Sequence, residues 1–231
     1  MTAPWRNPGR QAGALFLLYF VLAFGGGILA SGLFVPRDPA ATVANLAAHE
    51  VAYRLAFAAT MLSTVAYVAL TIVFYRLFAH VNKTLALFAV AIGLCGCGVQ
   101  AVAAALQLAP FLALPGSAFA AAFGSAGAQV LAASAIALYS QAYAVSLVLF
   151  AFYDLSIGYL IVRSTFLPRA VGGLLIVAGA AWLAFLWPPL ASAGARVILP
   201  VGALAELVLM FWLLVKGVDE TRLGLATAGR D

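Results

Sequence analysis

The chain has 231 residues, of which 66% are hydrophobic and 8% are charged, and its mean hydropathy is +1.11. A soluble domain carries roughly a quarter charged residues, so this composition excludes an ordinary soluble fold and predicts a polytopic membrane protein. The formal charge of +5 does not indicate a nucleic-acid partner, because the basic residues are scattered beside apolar segments without a basic run.

Hydropathy predicts an all-α transmembrane bundle in a single domain that covers residues 1–231. The six predicted spans are residues 12–34, 51–77, 84–108, 139–162, 170–187 and 197–215. Asp38 followed by Pro39 is typical of a helix start, which predicts a short interfacial helix over residues 39–50.

The segment 116–138 has no charged residue and is apolar enough to be a seventh span. The positive-inside rule decides between six and seven spans. With six spans, three basic residues lie outside and nine lie at cytoplasmic ends: Arg6, Arg10, Arg76, Lys83, Arg163, Arg169, Lys216, Arg222 and Arg230. With seven spans only five lie inside. We therefore expect 116–138 to be an interfacial or re-entrant helix on the outer face that leads into span four.

The same rule places both termini in the cytoplasm, and we expect the chain to lie in a bacterial inner membrane. The predicted partners are the lipid bilayer and other membrane proteins. No catalytic motif of the common hydrolase, metalloprotease, nucleotide-binding or dinucleotide-binding kinds is present, and no cofactor is expected. Cys95 and Cys97 form a C-x-C pair with no nearby histidine or further cysteine, so we expect helix packing there rather than a metal site.

Four stretches resemble the bacterial domain-of-unknown-function 4386 family of integral membrane proteins. The first stretch is RDPAATVANL from Arg37 with YRL from Tyr53, and the second is HVNKTLA from His80. The third is IGYL from Ile157 with RS from Arg163 and LPR from Leu167, and the fourth is AEL from Ala205 with WLLVKG from Trp212. The resemblance covers nearly the whole chain in order. It implies the architecture of an integral membrane protein and no particular reaction.

Ionisable groups inside spans are the first candidates for function. Asp154 lies nine residues before Arg163, and Glu206 lies ten residues before Lys216. These spacings put the two acids about 13 and 15 Å from the cytoplasmic ends of spans four and six. At this matched depth they are able to share a proton or bind one cation if the two helices are neighbours. The alternative is two separate acids, hydrogen-bonded by Tyr153, Ser156, Tyr159 or Gln141.

Two further positions carry polar groups of interest. Gln100 shares a helix face with Gln107, so it either lines a polar seam with the acids or bonds a neighbouring helix. Arg54 follows Glu50 by four residues, which predicts an ion pair on the outer side, and the alternative is a contact with an anion or a lipid headgroup.

Three functions fit these residues. The first is a non-catalytic accessory protein or subunit of a membrane assembly, which the absence of a catalytic motif and the many small residues on helix faces favour over the other two. The second is a small ion-coupled carrier that uses the intramembrane acids. The third is an intramembrane enzyme acting on a lipid or a quinone. We expect a cavity at the acids for the second and third, and a dry packed core for the first.

Overall fold

The structure is a computed structural model, and it describes residues 7–35, 38–114 and 116–223. Arg6, Arg37 and Arg230, which entered the charge count, lie outside these residues. Seven α-helices form the described chain: α1 (Pro8–Leu29), α2 (Pro39–Ala48), α3 (Glu50–Phe78), α4 (Lys83–Leu108), α5 (Ala118–Arg163), α6 (Arg169–Trp182) and α7 (Pro188–Val215). Short 3-10 helices follow α4 (Ala109–Ala113) and α6 (Leu183–Leu186).

The all-α transmembrane fold is confirmed. Within the described residues, six helical segments are long and apolar enough to cross a membrane: Pro8–Leu29, Glu50–Phe78, Lys83–Ala113, Ala118–Arg163, Arg169–Leu186 and Pro188–Val215. Many large apolar side chains also point outward, among them Ile28 at 72% exposure and Val51 at 71%. An outward apolar surface of this extent is suited to lipid rather than to water.

Polar side chains fix where the helices begin. The Asp38 carboxylate accepts a hydrogen bond from the Ala41 N–H at 2.9 Å, and Pro39 occupies the first turn of α2, as the sequence predicts. Asn82 accepts from the Leu85 N–H at 3.0 Å and so begins α4. Ser117 does the same for α5 through the Ala120 N–H at 3.0 Å.

The segment 116–138 joins span four without a loop. Helix α5 runs for 46 residues, and its only backbone break is Gly124, whose φ of 71° lies in the left-handed region that glycine tolerates. The sequence predicts a helix leading into span four, and the described helix has this form. Its interfacial or re-entrant position in a bilayer stays a prediction, because it rests on the charge pattern.

The described chain forms two compact units. The first unit takes residues from Met1–Leu18, Ala66–Cys97 and Val145–Asp231, and the second takes Tyr19–Val65 and Gly98–Ala144. Helices α1, α3, α4 and α5 each contribute to both units.

Within the first unit, glycines let α5, α6 and α7 pack closely. A Cβ atom on Gly158 of α5 would lie 2.7 Å from the Gly172 carbonyl oxygen of α6, and one on Gly172 would lie 2.6 Å from the Gly158 carbonyl oxygen. One on Gly179 would lie 2.7 Å from the Ala151 carbonyl oxygen. Only glycine allows backbones to approach this closely, so these residues set the depth at which α5 and α6 face each other.

Within the second unit, the short helix α2 packs on its neighbours through two small cores. The first contains Leu33, Leu46 and Tyr53, with Phe34, Phe111 and Leu114 packed against it. The second contains Ala113, Ala128 and Ala132, with Val43 packed against it. The helix predicted over residues 39–50 thus packs against the start of α3 and against the first half of α5.

Candidate functional site

The first unit buries two carboxylic acids. Asp154 on α5 is 2% exposed and Glu206 on α7 is 4% exposed, and the two carboxyl groups interact electrostatically. No lysine or arginine is among the buried residues of the described chain. The pair therefore lies in the low-dielectric interior without a buried basic partner, where two negative charges are strongly disfavoured.

Helix α6 packs against both of the helices that carry the acids. Asp154 sits on α5 between Ala151 and Gly158, whose backbones pack against Gly179 and Gly172 of α6. Further along α6, the Trp182 indole covers Gly202 of α7, one helical turn before Glu206. Helix α6 thus contacts α5 close to Asp154 and α7 close to Glu206, and the matched depth that the spacing to Arg163 and Lys216 predicts stays a prediction.

Two buried polar atoms near these contacts have no hydrogen-bond partner in the described chain: Asp154 Oδ2 and Trp182 Nε1. A buried polar group left unpaired costs about 1–3 kcal/mol. The alternative prediction, in which neighbouring side chains satisfy Asp154, is therefore wrong for Oδ2. Ser156 instead donates its hydroxyl to the Phe152 carbonyl oxygen at 2.7 Å, and Tyr159 is 47% exposed.

Aromatic rings pack around Tyr153, which precedes Asp154 on α5 and interacts electrostatically with both acids. Tyr153 is buried, its ring centroid lies 5.7 Å from that of Tyr67, and Tyr67 lies 5.1 Å from Phe150. The Thr71 hydroxyl donates to the Tyr153 hydroxyl at 3.5 Å, a long hydrogen bond. The Tyr153 ring also fills the space of a side chain at Gly93, since a Cβ there would lie 2.8 Å from it. Glycine at 93 is thus needed to seat the tyrosine next to the acids.

The other candidate residues lie in the second unit. Gln100 and Gln107 both line a cavity of about 340 Å³, so the shared face predicted for them exists. Arg54 pairs with Glu50, with an Nη2–Oε1 distance of 2.6 Å, and its guanidinium carbon lies 4.5 Å from the centre of the Phe111 ring. The predicted ion pair is therefore formed. Contact of Arg54 with an anion or lipid headgroup stays a prediction.

The two cysteines point in different directions, with Cys95 exposed and Cys97 buried. Among the described residues, no group of three or more His, Cys, Asp or Glu side chains is placed to hold a metal ion.

Sequence reasoning missed Trp182 and Thr71. The aromatic-belt pattern accounts for tryptophans near helix ends, but Trp182 is buried at 7% exposure. The sequence feature that indicates its burial is its position in an apolar stretch that also contains Gly172 and Gly179. Thr71 lies in an uninterrupted apolar run, and no local pattern separates it from other hydroxyls that bond their own helix.

Comparison with known proteins gives one match. The family model described as "Domain of unknown function (DUF4386)" matches residues 11–217. No curated protein and no solved structure matches the chain. The match covers both acids, Gln100 and Arg54, and its description assigns no chemistry to any of them.

Proposed function

The chain belongs to the DUF4386 family, and we propose that it is a small ion-coupled carrier in which Asp154 and Glu206 bind the coupling ion, a proton. The observation that supports this most is the unpaired Oδ2 atom of Asp154, buried beside a second acid. An acid kept only for packing has no reason to retain a costly unpaired oxygen. An acid that takes up and releases an ion does have such a reason.

The chemistry of the pair favours a proton over a metal ion. Calcium takes six to eight oxygen ligands, and magnesium demands six in octahedral order. Two carboxyl groups supply at most four oxygens. Two acids at close range share a single proton readily, because the bound proton removes one of two repelling charges.

Neither acid lines the cavities of about 570, 340 and 480 Å³ in the described chain, and a packed core at the acids is what we expect of a non-catalytic accessory subunit, the second candidate. It is favoured by glycines that no part of the described chain covers: a Cβ on Gly25 of α1 or on Gly173 of α6 would meet nothing within 4 Å. Small residues on a lipid-facing surface permit close approach of another helix. This candidate predicts that the acids never exchange protons with water.

We also propose that the protein lies in a bacterial inner membrane with both termini in the cytoplasm. The support is the distribution of basic residues, nine against three in the six-span arrangement. The acids would then lie in the cytoplasmic half of their spans.

The experiment is a pH jump on proteoliposomes adsorbed to a capacitive sensor. A proton that enters a site inside the membrane displaces charge, so wild-type protein gives a transient current even when the cargo is unknown. We expect Asp154→Asn and Glu206→Gln to lose this current. Asp219→Asn and Glu50→Gln are matched controls, because both acids are exposed and each is paired with an arginine three or four residues later in the chain.

A current in both controls but in neither variant supports the carrier. A wild-type protein that is silent, or variants that respond like the wild type, would contradict it. Silence would favour the accessory role.

A further inference from the structure

A cavity of about 340 Å³ lies within the second unit. Four helices line it, namely α1, α3, α4 and α5. Its size falls in the range of about 300–1,000 Å³ that is typical of small-molecule sites. Apart from Ala30 and Phe34, every lining residue belongs to a helix that is long and apolar enough to cross a membrane.

Some of the polar groups that line the cavity are hydrogen-bonded to the protein backbone, and others have no hydrogen-bond partner among the described residues. Tyr53 donates its hydroxyl to the Gln107 carbonyl oxygen, Thr60 donates to the Ala56 carbonyl oxygen at 2.9 Å, and Ser63 donates to the Thr60 carbonyl oxygen at 2.7 Å. These three hydroxyls bond the backbone and hold the wall in place.

Three other side chains have no hydrogen-bond partner within the described chain: the amides of Gln100 and Gln107 and the hydroxyl of Tyr139. The two amides lie on α4 and the hydroxyl lies on α5, so donors reach the cavity from two helices. An amide inside an apolar span is costly unless it is bonded, which makes three free groups around one cavity an indication of a ligand.

The rest of the lining limits the kind of ligand. No lysine, arginine, aspartate or glutamate lines the cavity, so no counter-charge is offered to an ion. Tyrosine rings supply flat faces from α1, α3 and α5. Small residues of α1 also line the cavity, and a Cβ on Gly27 would meet nothing within 4 Å, so there is open space at Gly27.

We propose that this cavity binds an uncharged ring with carbonyl or hydroxyl oxygens, of the chemical class of a quinone headgroup. Its oxygens accept hydrogen bonds from the free amides and from Tyr139, and its ring packs on the tyrosine faces. A quinone dissolves in the bilayer and so reaches a site lined by membrane-spanning helices. The inference concerns binding alone, and it stands independently of the proton site at Asp154 and Glu206.

The test is equilibrium binding of a radiolabelled short-chain benzoquinone to the purified full-length protein in liposomes, with protein-free liposomes subtracted. We expect saturable binding by the wild type. Gln100→Leu and Tyr139→Phe should each weaken it about threefold to tenfold, the usual effect of one lost hydrogen bond. Gln129→Leu is the matched control for Gln100→Leu, since Gln129 lies in the same unit but lines a different cavity.

Filling the cavity gives a second, independent variant. Gly27→Leu places a side chain in the open space and should abolish saturable binding. Gly25→Leu makes the same change two residues away on α1, at a position that also has nothing within 4 Å but does not line the cavity. It should bind like the wild type, and circular dichroism of each variant confirms that the helices are intact.

Three outcomes would overturn the inference. The first is wild-type protein without saturable binding. The second is equal binding by Gly27→Leu and Gly25→Leu. The third is displacement of the benzoquinone by methyl glucoside at similar concentration, which would assign the cavity to polyols.

Discussion

The indole of Trp182 occupies the space in which any side chain at Gly202 would have to lie. A Cβ atom there would overlap the indole nitrogen and two ring carbons, far inside van der Waals distance. The contact joins α6 to α7 one helical turn before Glu206. It thereby fixes the position of Glu206 relative to α6, on which α5 is also packed.

The first prediction follows from this contact. Gly202→Ala should destabilise the protein by about 1–3 kcal/mol, because the indole must leave a well-packed position to admit a methyl group. Reversible unfolding in mixed micelles, followed by circular dichroism, measures the change. Gly173→Ala on α6 is the control, since its Cβ meets nothing within 4 Å. Equal stability of the two variants would mean that the indole moves freely.

The second prediction concerns the pair of Arg54 and Glu50. Both side chains are exposed, at 59% and 44%, and they lie four residues apart on one helix. A double-mutant cycle with Arg54→Ala and Glu50→Ala should give a coupling free energy of about 0.5 kcal/mol. Strict additivity would mean that the stacking of Arg54 on Phe111, not the ion pair, holds the arginine.

Topology supplies the third prediction. A reporter fused after Gly116 should lie outside the membrane, and one fused after Asp231 should lie in the cytoplasm, because the six-span arrangement puts nine of twelve basic residues inside. Each position is fused to a phosphatase and, separately, to a fluorescent protein, so that one of the two gives a signal whichever side of the membrane the position lies on. A C-terminal fusion that reports the outside would refute the arrangement.

Much of the fold was predictable because lipid imposes a strong compositional rule. A run of about 20 apolar residues has few alternatives to a membrane-spanning helix. The start of α2 at Asp38 and Pro39 was also predictable, because the capping hydrogen bond reaches only to Ala41 and so depends on neighbouring residues alone. The course of α5, which has a break at Gly124 and then runs on into span four, was harder to predict, because an alanine-rich stretch with a glycine suits either a break or a continuous helix.

The candidate site was predictable only in part. Counting residues along a helix gives the depth of Asp154 and Glu206 but not which way they face. The Trp182–Gly202 contact and the convergence of Gln100, Gln107 and Tyr139 on one cavity join residues far apart in the chain. No local periodicity encodes such contacts, because they depend on how helices pack against each other.

Whether Asp154 and Glu206 act as one proton-binding pair is decided most directly by infrared titration of their carboxyl bands in the membrane. We expect each of Asp154→Asn and Glu206→Gln to shift the titration midpoint of the remaining acid by at least about one pH unit, as strongly interacting sites do. Glu50→Gln, which removes an exposed acid, should leave both bands in place. Midpoints that stay unchanged in both variants would show that the acids titrate independently and would contradict the shared site.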